Sequence, residues 1–311
     1  MFGRTSSTTL AVLVGLLPVG ALATTINYTG AIGTYTVPTS GLYNIIAVGA
    51  GGGVGADGSF PGGLGAEIGG TFSLSAGETL QIAVGGVGLD NGGGGGGSFV
   101  VGPGVTPLVI AGGGGGGPNG IHLPASDTHG GDATGPMAAG GLGGGAAASD
   151  SAGGGGGLLT DGVSGGNLII GPVTTFGGQG GKSFTDLAAG GDAYVPTGTY
   201  PLITPSPVPS GGFGGGGGGS TAGGGGGGYS GGEGGDSFLG GSGDGGTSFD
   251  GGISPFFVLG FERGDGYVTI TAVSSAPEPS SLVLMGGCLA GFLAIRQRTK
   301  QRDERGSSDA G

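Results

Sequence analysis

Gly181-Lys182-Ser183 has the residue types with which a glycine loop and a lysine cradle phosphate. That chemistry needs a glycine six residues before the lysine, and Phe176 stands there. No helical pattern follows, so nucleotide binding is not expected. His122 and His129 flank Asp127, two imidazoles and a carboxylate of the kind that hold a metal. They lie in a Pro- and Gly-rich stretch, where solvated loop residues are the simpler reading. Gly240-Gly241-Ser242-Gly243-Asp244-Gly245 spaces its aspartate nearly as calcium-binding nonapeptides do, but one place early and without repetition. Cys288 is the only cysteine, so an intramolecular disulfide and a cysteine zinc site are excluded. GxGxxG patterns abound, but among 93 glycines they carry no information. No Ser/His/Asp set, HExxH pattern or working carboxylate pair stands out. The expectation is a protein without catalytic residues, cofactor or metal.

The remaining candidates are substrates for processing. Pro277-Glu278-Pro279 cannot continue a helix or strand and marks an extended, accessible break. An apolar run from Leu282 to Ile295 follows, within a membrane segment set at 281–295. It is short for a full span of about 20 residues. Arg296, Arg298 and Lys300 come next and would stay on the cytoplasmic side. At the other end, Arg4 precedes an apolar run from Leu10 to Leu17, broken by Pro18 and Gly20. Ala21 and Ala23 then offer small residues at both specificity positions of a secretory cleavage site. Residues 1–23 are therefore read as a signal peptide, with signal peptidase cutting after Ala23.

The tail from Pro277 to about Arg305 resembles the PEP-CTERM sorting signal of Gram-negative bacteria, with its three parts in order. The resemblance implies recognition of Pro277-Glu278-Pro279 by an exosortase, a membrane cysteine protease-transpeptidase. It also implies transient anchoring in the inner membrane through the C-terminal helix. The extension Gln301–Gly311 departs from the pattern.

Between these ends, charge is sparse and acidic. Net charge is −12, and only Lys182 and Arg263 are cationic between residues 24 and 275. Such a surface repels phosphate backbones, so no nucleic-acid partner is expected. Glycine is in roughly fourfold excess over its average use of about 7%. The chain is nevertheless not polar, with a mean hydropathy of +0.25 and 9% charged residues. Disordered chains have the opposite profile.

Strand-like runs bracket the glycine. Leu42–Val48 is one; Thr71–Leu74 and Thr79–Val84, joined by Ser75-Ala76-Gly77-Glu78, read as a hairpin. Ser98–Val101 and Leu108–Ala111 form another pair, and Phe256–Leu259 and Gly266–Val273 are strands again. A β-sandwich at about 30–111 and 253–273 with a glycine-rich insert at about 112–252 explains this order. Glycine loses the most backbone entropy on folding, so ordered runs need an offset. A polyglycine helix of the polyproline II kind supplies one. It has three residues per turn and no internal hydrogen bonds, so its amides and carbonyls are free to bond neighbouring helices.

The string from Gly212-Phe213 through Gly214–Gly219, Ser220-Thr221-Ala222, Gly223–Gly228 and Tyr229-Ser230-Gly231-Gly232 resembles the glycine-rich extracellular region of the anaplastic lymphoma kinase and leukocyte tyrosine kinase receptors. Gly85–Gly88, Gly92–Gly97, Ser98–Val101 and Pro107–Gly116 follow the same order. The resemblance spans roughly Val37 to Ile270. It implies a mainly β fold, a tumour-necrosis-factor-like or jelly-roll β-sandwich carrying a bundle of packed polyglycine helices. The receptors' cysteines, kinase and growth-factor-like modules are missing, so signalling does not carry over.

The function expected is that of an exported, exosortase-sorted structural and adhesive protein of the cell surface or extracellular matrix, associated with biofilm or exopolysaccharide. Phe213, Tyr229 and Phe238 are expected to be exposed to a partner, an exopolysaccharide or another surface protein. A specific glycan- or protein-binding module on the cell surface is the alternative.

Overall fold

The computed structural model describes residues 23–273 apart from 56–57, 59, 119–130, 137–140, 147–150, 171–172, 198–203 and 237–240. The protein is mainly β. Strands β1 (Ala23–Asn27), β15 (Tyr267–Ala272), β3 (Gly41–Val48), β4 (Gly65–Leu74) and β14 (Ile253–Glu262) form one sheet in that order. A second sheet runs β2 (Gly33–Thr36), β5 (Thr79–Ala83), β6 (Ser98–Gly102), β7 (Thr106–Ala111), β13 (Thr247–Asp250), β8 (Thr134–Pro136). Two hairpins stand apart: β9 (Leu168–Ile170) with β10 (Val173–Thr175), and β11 (Asp192–Thr197) with β12 (Thr204–Pro209).

Alternation builds the core between the sheets. Tyr43, Ile45 and Ala47 point inward from β3, while Leu42 and Asn44 are exposed. They meet Ile68 and Phe72 of β4, Leu80 and Ile82 of β5, Val100 and Val109 of the second sheet, and Val268 and Ile270 of β15. Ser98 ties the sheets together: its hydroxyl donates to the Val48 carbonyl at 2.6 Å and accepts from the Gly85 amide at 2.9 Å.

The expected hairpin across Ser75–Glu78 is not formed. β4 and β5 lie in different sheets, so this turn crosses between them. Its backbone is held by Val37, which donates to the Glu78 carbonyl and accepts from the Gly77 amide, each at 2.8 Å. That contact places β2 beside β5, with Tyr35 opposite Leu80. The pair Ser98–Val101 and Leu108–Ala111 forms as expected, as β6 against β7.

The second sheet is covered on its other face too. Phe99, Val101 and Ile110 pack with Leu158 and Phe184, which come from the glycine-rich segments. The Phe99 and Phe184 rings lie 5.3 Å apart.

The glycine runs are neither strand nor α-helix, yet most of their backbone groups are hydrogen-bonded. Gly223–Gly228 shows the rule. Gly223 and Gly226 donate to the carbonyls of Gly241 and Asp244. Gly224 and Gly227 donate to Gly92 and Gly95, and Gly225 and Gly228 to Gly153 and Gly156. Donor and acceptor both advance by three residues, so one run addresses three neighbours in turn. Its carbonyls accept from three more: Gly235 and Gly232, Gly116 and Gly113, and Gly217. A Cβ on any of Gly223–Gly227 would stand 2.0–2.2 Å from a neighbouring carbonyl oxygen. Segments on the strand-rich side of residue 112 join the same network. Gly53 donates to Gly93, and Gly114 and Gly117 donate to Ala50 and Gly53.

Among the described residues no helix is long and apolar enough to cross a membrane. The segment 281–295 lies outside the described residues.

Candidate functional site

Ala23 opens β1, an outer strand, where it is exposed and paired with Thr271. Cleavage after Ala23 would remove that pair and leave Thr24–Asn27 on the ladder with Ile270–Tyr267. Ala21, Pro277, Glu278, Pro279, Arg296 and Arg298 lie outside the described residues, as do His122, Asp127, His129, Phe238 and Cys288. Among the described residues no three His, Cys, Asp or Glu side chains are grouped to hold a metal.

Phe213 and Tyr229 are not free surface aromatics. Both are partly buried against the second core cluster, and the Tyr229 ring lies 4.7 Å from that of Phe249. Their flanking glycines belong to the hydrogen-bonded network, which draws the rings onto the sheet.

Lys182 lies in a built setting of a different kind from a phosphate loop. Its ammonium contacts Asp161 at 2.6 Å and Asp186 at 3.2 Å. The hydrogen bonds to Asp161 and then Asp186 push its pKa up. Burial pulls the Asp161 carboxyl up, but hydrogen bonds from Lys182 and the Ser183 amide outweigh it and hold the group below its ordinary range. Two carboxylates therefore already neutralise the one cation, which leaves nothing for a phosphate. The cleft beside it measures about 730 Å³. Asp161, Ser164, Asn167, Phe176, Gln179 and Lys182 line it, with glycine backbone between them. The Ser164 hydroxyl accepts from Gly180 and the Asn167 carbonyl from Gly177, which fixes both side chains on the wall. Donors, acceptors and one ring around a cleft whose two charges, Asp161 and Lys182, cancel suit a neutral, hydroxyl-rich ligand. Sequence reasoning missed this set. Its members are scattered through glycine, and the only signal was the rarity of Lys182.

Asp250, at the end of β13, was also not legible. One carboxylate oxygen accepts from the Gly252 amide at 2.6 Å, and the other is buried without a partner. Burial raises its pKa, partly offset by that amide. The folded state thus favours the protonated form more than the unfolded chain does. Its contribution is full below the ordinary value of 3.8 and is lost as pH rises through the raised one. Asp250→Asn is expected to stabilise the protein at pH 7 by about 1 kcal/mol and to be neutral at pH 3. Urea unfolding of both chains at the two pH values checks it.

Residues 275–298 match the protein-family model described as the PEP-CTERM protein-sorting motif. The matched stretch holds Pro277-Glu278-Pro279, the apolar run, Arg296 and Arg298. The chain thus carries the signal of an exported protein that exosortase processes at the membrane. A search of the curated proteins finds no match to it.

Proposed function

We propose that this is a non-catalytic structural protein of the cell surface or extracellular matrix, and that its glycine-rich body is a stiff bundle of polyglycine helices. The observation that carries the reading is the three-residue repeat of Gly223–Gly228 among six neighbouring segments. A three-per-turn helix with no internal bonds directs successive amides about 120° apart, as that pattern requires. The resemblance to the glycine-rich region of the two receptor kinases supports the same architecture, a jelly-roll sandwich bearing packed glycine helices. A body with nearly all its backbone groups paired inward resists bending and offers few sites to proteases. Those properties suit a spacer or matrix component placed outside the cell by the sorting tail, in association with exopolysaccharide or other surface proteins of a Gram-negative bacterium.

Hydrogen exchange tests the stiffness. Amides of Gly223–Gly228 are expected to exchange about a thousandfold or more slowly than in an unstructured glycine peptide, as groups released only by global opening do. Exchange at the unprotected rate would reduce the body to a flexible linker and remove the mechanical role.

The cleft beside Lys182 favours a second reading, a glycan-binding module. Saturable binding of a neutral oligosaccharide there, at one site per chain, distinguishes it from a bulk matrix role.

A further inference from the structure

The outer strand β14 is unusual for an exposed edge. It has β4 on one side and no ladder partner on the other among the described residues. From Ile253 to Phe261 it carries no charged residue. Ile253 is 63% exposed, Leu259 56%, Phe261 44%, Val258 42% and Phe256 40%. Natural edges are usually protected by charge, proline or bulges, and long apolar ones pair with other chains. Here Pro255 and the ladder irregularities protect the two ends of the strand, and the stretch Phe256–Val258 between them is left open.

We propose that β14 pairs with β14 of a second copy, antiparallel, about a two-fold axis through Phe257. Several observations fix that occupant and register. The two positive-φ residues of the strand, Ser254 at 53° and Gly260 at 60°, are equidistant from Phe257. The ladder to β4 breaks on both sides of the regular stretch Phe256–Val258. A two-fold axis at Phe257 therefore sets regular backbone against regular backbone and irregularity against irregularity. The same register opposes Phe256 to Val258 and Ile253 to Phe261 of the second copy, so the exposed apolar side chains cover one another. An aromatic side chain carries about 150–250 Å². The strip thus offers about 400 Å² per copy and about 800 Å² for the pair from side chains alone. This lies just below the roughly 1,000 Å² of a stable specific interface, so the pairing is a weak, reversible one. The acidic excess opposes approach, so the pairing strengthens as salt screens it.

The test uses the full chain with Cys288→Ser, which leaves no other cysteine. Phe256→Cys and Val258→Cys chains are mixed and oxidised. Directly opposed antiparallel residues lie about 4.5–5.5 Å apart at Cα, within disulfide reach. The mixture is expected to give a cross-linked heterodimer, and each variant alone little cross-linking. In sedimentation, association of the otherwise unchanged chain is expected to rise with salt and to weaken at least tenfold in Val258→Lys and, independently, in Leu259→Lys. A chain that stays monomeric in high salt, association untouched by both lysines, or cross-linking of each single variant as efficient as that of the mixture would overturn the proposal.

Discussion

Gly225→Ala is expected to destabilise the protein by about 4 kcal/mol, a large share of the about 5–15 kcal/mol that holds a domain together. The added Cβ would stand 2.0 Å from the Gly232 carbonyl oxygen and 2.8 Å from the Gly155 nitrogen. These are backbone atoms, which no rotamer change can move aside. Gly225 donates to Gly153 at 2.9 Å and accepts from Gly217 at 2.7 Å, so displacing its run strains bonds to neighbours on two sides. Overpacking alone costs about 1–3 kcal/mol, and each buried backbone group left unpaired about as much again. Gly41→Ala is the control. Nothing lies within 4 Å of its Cβ position, and a change within about 0.5 kcal/mol is expected. Thermal unfolding of the two variants separates a packed glycine body from one that tolerates side chains.

Replacing Pro277, Glu278 and Pro279 together by alanine is expected to stop processing. Proline keeps the residue before it extended, so Ala276 and Glu278 are both held in the conformation a peptidase active site binds. Three alanines next to an apolar run would instead extend a helix into that stretch. The released form is expected to fall at least tenfold, and full-length chain to accumulate with the membrane. The domain ends its last strand at Ala272, before the matched motif begins at residue 275, so its fold is expected to be unaffected. Immunoblots of membrane and medium fractions from cells expressing either chain check this.

The strands were legible where side chains alternate. Leu42–Val48 and Tyr267–Ala272 show a period of two because one face of each meets the core. The partner of a strand was not legible where a short turn could either reverse or cross. Ser75–Glu78 has hairpin chemistry, and the contact that sends it across comes from Val37, far away in sequence. Short strands such as Thr134–Pro136 and Thr247–Asp250 are hidden within glycine. Glycine runs carry no side-chain pattern, so their mutual bonding depends on backbone positions that composition cannot encode. That Gly223–Gly228 has six neighbouring segments leaves no mark in its sequence. Aromatics flanking those runs looked available to a partner because their surroundings offer no bulk. Phe213 and Tyr229 instead lie against the second sheet. The C-terminal sorting motif was the most legible part, and the family model matches it over residues 275–298. Peptidases read an extended local sequence, and local sequence is what a single chain displays.

Intact mass spectrometry of the protein recovered from the native cell's extracellular fraction tests the central claim most directly. A chain that begins at Thr24 and ends at or near Pro277–Pro279 is the predicted result, since it requires export, signal cleavage and exosortase processing together. An intact C-terminus, recovered only with membranes, would contradict it and make the tail a permanent anchor.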